Sequence, residues 1–461
     1  MKRKETVAFA LPKQPIDRIT EPFKKLLGVK SLSGALLIIC ACFALACANS
    51  PFAESYKAFW NLKVGITFGD FQFRHSLIHL VNDGLMAIFF FVVGMEVKHE
   101  LTHGALADAK RAALPVAAAI GGMVVPALVY VGYLLCQPTT EALAIRGWGI
   151  PMATDIAFVV GCLAVLGSRV PPSLRILLLS LAVVDDIGAI AVIAFGYTSD
   201  LDLSWLVLAI VSIVLVRLLA QLGVRRFPVY GFVGMIAWFA FHESGIHATI
   251  GGVVLGLMTP ANAPLVSKKF YQSILQNKAV FQEKRWETDR QRAQRVRELQ
   301  RYCRETVSPL EYLVNTLYPW SAFVIMPVFA LANAGVTIRL DGFGDSVAVA
   351  IMLGLFLGKP LGIVLSSWLA VKLNMATKPD DLNWASIIAG SFLAGIGFTM
   401  ALFIESLAFG ETGFDTAKMG VLAGSFLSAM TGVGLLLYIL PKPVDADAKI
   451  DQPVTTSLES S

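Results

Sequence analysis

Apolar positions in this chain neither alternate nor recur on one helical face. They come in long, nearly unbroken runs separated by short polar stretches. About 20 consecutive apolar residues are enough for a helix to cross a bilayer. Twelve runs approach or exceed that length, at about 32–48, 79–97, 112–136, 149–167, 174–196, 203–222, 227–241, 247–259, 310–335, 346–371, 384–408 and 416–440. The seventh and eighth are short. The pattern therefore predicts an all-α polytopic membrane protein: a tail at 1–31, a twelve-helix domain at 32–440 and a second tail at 441–461. Two segments interrupt it. Residues 260–308 are helix-forming and highly charged, with no apolar face long enough for a core. The stretch Val64-Gly65-Ile66-Thr67-Phe68-Gly69-Asp70-Phe71-Gln72-Phe73 has a period of two around Gly69-Asp70. That fits a small β-hairpin or a loop lying on the membrane surface, and the pattern leaves both open.

Composition removes the soluble alternative. Charged residues make up 15% of the chain and hydrophobic ones 56%, against roughly 25% charged in an ordinary soluble domain. The mean hydropathy of +0.67 points the same way. The first run ends in Ala46-Cys47-Ala48 and imitates a secretory signal, but about thirty residues precede it, so an uncleaved first helix is expected. The cysteines form no Cys-x-x-Cys pair, and all but Cys303 lie within or at the ends of apolar runs, as small packing residues do.

Lys and Arg in short loops set orientation. The first 31 residues hold eight Lys/Arg and three Asp/Glu, which puts the N-terminus in the cytoplasm. Twelve crossings then place Lys110/Arg111, Arg169/Arg175, Arg217/Arg225/Arg226 and Lys372/Lys378 on that same side. Asp200/Asp202, Asp341/Asp345 and Glu405/Glu411/Asp415 fall on the other. The C-terminal tail returns to the cytoplasm. The net charge of +5 comes mainly from 268–305, where eleven Lys/Arg meet five Asp/Glu. That insert suits anionic lipid headgroups and says little about substrate.

The informative charges are those inside the runs, because each costs about 2.5–3.5 kcal/mol in hydrocarbon unless partnered or used. At ~1.5 Å of rise per residue, Asp185 lies ~15 Å beyond Arg175. Lys359 lies ~20 Å before Lys372, and Asp155 ~21 Å before Arg169. With Asp186, four ionisable groups share one depth. A lone Lys359 could tie two helices together through one carboxylate, but it cannot neutralise three. Adjacent Asp185 and Asp186 point about 100° apart on a helix, so one can pair with Lys359 while the other faces a cavity. Carboxylates with carbonyl and hydroxyl oxygens suit hard cations, and they can take protons instead. The six histidines are scattered along the sequence, so no transition-metal ligand set is expected. Gly147-Trp148-Gly149-Ile150-Pro151 before Thr154-Asp155, and Gly390, Gly395, Gly397 and Thr399 in the eleventh run, predict two broken helices. They sit centrally in the triplets 112–196 and 346–440, which enter the membrane in opposite directions, as the halves of an inverted repeat do.

At these residues the sequence resembles the NhaA family of sodium/proton antiporters, a known inverted-repeat architecture. The match runs through Pro151-Met152-Ala153-Thr154-Asp155-Ile156-Ala157-Phe158, Val184-Asp185-Asp186-Ile187-Gly188 and Gly245-Ile246-His247-Ala248-Thr249. It continues through Gly358-Lys359-Pro360-Leu361-Gly362, Gly395-Ile396-Gly397-Phe398-Thr399-Met400, Gly94-Met95-Glu96-Val97-Lys98 and Ala330-Leu331-Ala332-Asn333-Ala334-Gly335. The resemblance implies an NhaA-like fold and electrogenic, pH-regulated exchange of cytoplasmic Na⁺ or Li⁺ for external H⁺ across a bacterial inner membrane. It implies Asp185 and Asp186 as the ion-binding and proton-carrying carboxylates, with Thr154 and Asp155 beside the sodium, and Lys359 as charge partner. Gly395, Gly397 and Thr399 would form the broken-helix backbone. Glu96, Glu100, Asp83 and His247 match positions tied to pH sensing or access of the cation. It further implies a homodimer built through the outer hairpin, no cofactor, and a transporter rather than an enzyme. The sequence departs from the family at Val314-Asn315, where Glu-His is common, and at Tyr318, where His is common. Both changes bear on the expected pH profile.

Other classes fit less well. An intramembrane aspartyl protease would show Gly-x-Gly-Asp, which is missing around Asp155 and Asp185, and would not explain Lys359. A solute symporter would need a further polar cluster. A channel gives no reason for such strongly coupled acids, and no Gly-x-x-x-x-Gly-Lys loop supports an ATP-driven pump. Nothing in the sequence suggests a nucleic-acid partner.

Overall fold

The computed structural model describes residues 30–440, apart from 69–70, 139–140, 199–200, 223, 225–226, most of 264–305, 339–341, 343 and 411–414. Both predicted tails and most of the charged insert lie outside the described residues. The chain opens with α1 (Lys30–Ala48) and turns sharply into α2 (Ala53–Trp60), a bend of 117°. A two-stranded antiparallel hairpin follows, β1 (Lys63–Phe68) and β2 (Phe71–Ser76), with Lys63 opposite Ser76 and Phe68 opposite Phe71. Of the two readings left open by the period-two stretch, the hairpin is the one found.

The helices α3 (Leu77–Thr102), α4 (Ala109–Leu135), α5 (Ala142–Leu166), α6 (Pro172–Gly196) and α7 (Leu203–Gln221) come next. The shorter α8 (Phe227–Glu243) and α9 (Ala248–Met258) precede the insert. After it come α10 (Pro309–Asn333), α11 (Ser346–Lys372), α12 (Trp384–Ala394), α13 (Phe398–Phe409) and α14 (Asp415–Ile439). Each apolar run has a helix. Among the described residues, however, eight helices are long and apolar enough to cross a membrane, or ten if each bent pair counts as one span. At 17 and 11 residues, α8 and α9 fall below that length.

Burial is arranged as lipid requires. Large apolar side chains face outward, as on α7 with Val207, Ile210, Val211, Val214 and Leu218. Thr154, Asp155, Asp185, Asp186, Lys359 and Thr399 are buried inside. Close helix packing fixes that interior. A Cβ on Gly362 of α11 would stand 2.1 Å from the Gly121 carbonyl oxygen of α4. Only hydrogen at both positions lets the two backbones touch, the small-residue packing that membrane helices use. Lys359 lies one turn before Gly362, so this contact sets its place.

Among the described residues, three helices carry a π-helical turn: Leu80–Leu85 in α3, Ser321–Ile325 in α10 and Gly354–Gly358 in α11. Such turns cluster at functional sites, and these three hold Asp83, border the cleft described below and lead into Lys359. One acid departs from its expected place. Glu405, assigned by sequence to an outer loop, is 0% exposed within α13, and neither carboxylate oxygen has a hydrogen-bond partner among the described residues. The helix continues to Phe409 and carries Glu405 into the core.

Candidate functional site

Pro151 ends a 3₁₀ stretch at Arg146–Met152, and Ala153 and Asp155 then take extended backbone before α-helix resumes at Ile156. The eleventh run breaks likewise. α12 ends at Ala394, α13 starts at Phe398, and the two are bent by 46°. Backbone groups freed by such breaks need partners in an apolar medium, and here each break supplies the other. Asp155 N–H donates to the Ile396 carbonyl at 2.7 Å, and Thr154 Oγ1 donates to the Ala394 carbonyl at 2.9 Å.

Asp155 caps two helices at once. Its Oδ1 accepts from Phe158 N at 3.0 Å and its Oδ2 from Thr399 N at 3.2 Å and from the Thr399 hydroxyl. A carboxylate therefore sits against two helix N-termini, where the peptide dipoles favour negative charge. Gly395 and Gly397 flank the second break. A Cβ on Gly395 would lie 2.6 Å from the Leu355 carbonyl oxygen, so that loop lies directly against α11.

Asp185 and Asp186 follow one another on α6, and their partners differ completely. Asp185 Oδ2 lies 2.9 Å from Lys359 Nζ, with both side chains fully buried. It also accepts from Thr154 Oγ1 at 2.7 Å. Thr154 has one hydroxyl proton for two acceptors, so its donation is divided between Asp185 and Ala394. Lys359 also donates to the Met152 carbonyl, next to the break in α5. Asp185 Oδ1 is shut from solvent and has no hydrogen-bond partner among the described residues. Asp186 is 3% exposed and makes no ion pair or hydrogen bond among the described residues. It borders a cavity of about 40 Å³ together with Glu96, Thr154, Tyr318, Ser321 and Met400. One water needs about 10–15 Å³ on that measure, so a small, partly hydrated cation fits.

The structure thus gathers Asp155, Thr154, Asp185, Asp186, Lys359, Gly395, Gly397 and Thr399 at one place, and brings Glu96 to the same cavity. It separates the rest. Glu100 accepts from Ala105 N at 3.0 Å and closes the turn after α3. Asp83 sits at the hairpin end of α3, within 3.3 Å of His79 and 3.2 Å of His242. His247 Nε2 lies 3.0 Å from the Tyr197 carbonyl at the start of α9. The expectation that the histidines are scattered fails in space. His75, His79 and His242 converge, with ligand atoms within 4.8 Å of one another. Burial, and the positive charge that His79 and His242 can carry, hold the His75 imidazole below its ordinary pKa. Ser321 was not singled out by sequence, and the role of Tyr318 as a cavity wall was legible only as a departure from a family pattern.

Comparison with known proteins shows the family. The family model described as Na⁺/H⁺ antiporter 1 matches residues 24–436. A relative from Rhodopirellula baltica named Na⁺/H⁺ antiporter NhaA is 60% identical over 94% of this chain and 97% of its own length. Proteins of the same name from Acidiphilium cryptum (NhaA 2) and Rhizobium meliloti are each 45% identical. They cover 95% and 94% of this chain and 97% and 98% of their own lengths. With its apolar helices and this match along nearly its whole length, the chain is a multi-pass membrane protein that belongs to the NhaA family of Na⁺/H⁺ antiporters.

Proposed function

We propose that this chain exchanges cytoplasmic Na⁺, or Li⁺, for external H⁺ at the Asp185–Asp186 site, by alternating access in a bacterial inner membrane. The observation that carries the proposal is the position of Asp186: a buried carboxylate without an ion-pair partner among the described residues, bordering a cavity beside the Asp185–Lys359 pair. A buried carboxylate must either hold a proton or find a cation. Sodium entering past Glu96 meets Asp186, the orphaned Asp185 Oδ1 and the Thr154 hydroxyl, an all-oxygen set suited to a hard ion. Its arrival expels the proton from Asp186. Asp185 then turns from Lys359 toward the cation, and Lys359, left in an apolar site, gives up a proton. Two protons leave for one sodium, which makes the exchange electrogenic. After the site reopens to the other face, protons return and release sodium. Asp155 stays bound to the two helix N-termini and takes no part in the proton exchange.

The interrupted α5 and the α12–α13 pair are, in this reading, the crossing helices of an inverted repeat. Counting α8, α9 and each bent pair as crossings gives a twelve-helix topology with both termini cytoplasmic. The hairpin would then lie outside, where it can join two copies as a homodimer, and the basic insert would lie against lipid headgroups inside. pH regulation would act through Glu96 and its neighbours at the cavity mouth, with a profile altered by Val314, Asn315 and Tyr318. Replacing Asp186 with Asn tests the core of the proposal in everted vesicles loaded with a pH-gradient dye. Sodium should dissipate the gradient in wild type and leave it intact in D186N. Exchange retained by D186N would overturn the assignment.

A further inference from the structure

The histidine cluster at the hairpin end plays no part in the exchange above, and its chemistry differs from the carboxylate site. His75 is the last residue but one of β2, and His79 lies four residues on, where α3 begins. This His-x₃-His spacing is one that zinc sites use. His242 arrives from the end of α8. The three rings pack together: His75 and His79 stack at 4.5 Å between centroids, and His242 meets them edge-on at 5.4 and 5.5 Å.

We propose that His75, His79 and His242, with the Asp83 carboxylate beside them, form a binding site for a late first-row divalent cation such as Zn²⁺. Three nitrogens each about 2.1 Å from one tetrahedral ion stand about 3.4 Å from one another. The three ligand atoms lie within 4.8 Å of one another, so closing on one ion takes side-chain rotations that move each ring by no more than about 1 Å. Imidazole nitrogen suits zinc, copper and nickel and is a poor ligand for an alkali ion, so this is not a second sodium site. Asp83 Oδ2, 3.3 Å from His79 Nε2 and 3.2 Å from His242 Nδ1, supplies the negative charge that offsets the cation.

A second observation points to a ligand. His79 Nε2 is closed to solvent and makes no hydrogen bond of acceptable geometry, despite its distance to Asp83. A buried polar atom left in that condition calls for an occupant. The cluster is also held in advance. Trp238 lies parallel to the His242 ring at 6.0 Å, and its indole N–H donates to the Asp83 carbonyl. A bound cation would tie the end of α8 to the junction where β2 runs into α3, two places far apart along the chain.

Binding can be measured on tag-free, chelator-stripped protein in detergent, with Zn²⁺ alone as the probe in calorimetry. The expected result is one ion per chain, with affinity lowered at least tenfold in H79Q and in H242Q. The double variant His99→Gln/His103→Gln, which removes the neighbouring pair at the far end of α3, should bind as wild type. Co²⁺ added to wild type should give the intense visible absorption of a low-coordinate site, a readout that does not depend on any variant folding. The proposal is overturned if wild type shows no saturable binding and no cobalt band. It is equally overturned if H79Q and H242Q bind unchanged, or if the loss follows His99 and His103.

Discussion

The carboxylate site between α5, α6 and α11 and the histidine cluster at the hairpin end are both knots of ionisable side chains, yet they are held by different physics. Asp185 and Lys359 are shut from water, so each depends on the other, and loss of one strands a charge. Asp83, His79 and His242 keep side-chain exposures of 19, 35 and 16%, so water reaches the cluster even though His79 Nε2 itself is closed to it. The first site is therefore rigid in its demands and changes state only when an ion or proton takes a partner's place. The second can gain or lose a ligand while the fold stays as it is.

The sharpest way to break this contrast is Lys359→Ala. Removing one member of a buried pair costs about 3–5 kcal/mol, because the other charge is left unsolvated. Thermal unfolding in detergent should show a large fall in Tm, with exchange abolished. If Asp185 is replaced by Asn in the same chain, much of the stability should return while exchange stays absent. A K359A protein as stable as wild type would mean that water reaches the site and that the contrast is false.

Much of the buried site could be read from the sequence, and for the same reason that it is demanding. A charge in the middle of an apolar run is costly enough to stand out, so Asp155, Asp185, Asp186 and Lys359 announced themselves, and Pro151, Gly395 and Gly397 marked the breaks. The period of two over Val64–Phe73 carried the hairpin as one of two readings. Which aspartate pairs with Lys359 was not legible, because neighbours 100° apart on a helix are told apart only by where α11 lies. The π-helical turns carry no sequence signature. Glu405 was misplaced because an acid near the end of an apolar run looks like a loop residue until the helix is seen to continue to Phe409. The histidines were missed because His242 is far from His75 and His79 in the chain, and partly exposed groups give no energetic signal by themselves.

Thr154→Val gives an intermediate effect, and it probes the seam between the two breaks. Valine keeps the shape of threonine but removes the hydroxyl that serves Asp185 and Ala394. A hydrogen bond to a charged group contributes about 1.5–3 kcal/mol, so Tm should fall by less than in K359A. Sodium-driven exchange should need roughly tenfold more sodium to reach half its maximal rate, since tenfold corresponds to about 1.4 kcal/mol. Thr154→Ser should restore both. Equal losses in the serine and valine variants would mean that the methyl group, not the hydroxyl, matters.

The smallest effect is expected from Asp83→Asn at the hairpin end. Partly exposed ion pairs are worth about 0–1 kcal/mol, and salt screens them. The amide can still accept a hydrogen bond from His79 or His242, so metal-free D83N should unfold within a few degrees of wild type. Adding zinc should then separate the two proteins. A cation held by three imidazoles with a carboxylate beside them loses its offsetting charge in D83N, so wild type should gain more thermal stability from Zn²⁺ than the variant. Sodium exchange should persist in D83N under zinc-free conditions, because Asp83 lies at the hairpin end of α3 and is absent from the cavity around Asp186. If D83N loses exchange as fully as D186N, the two regions are not independent. The hairpin end would then have to be part of the path the ion takes.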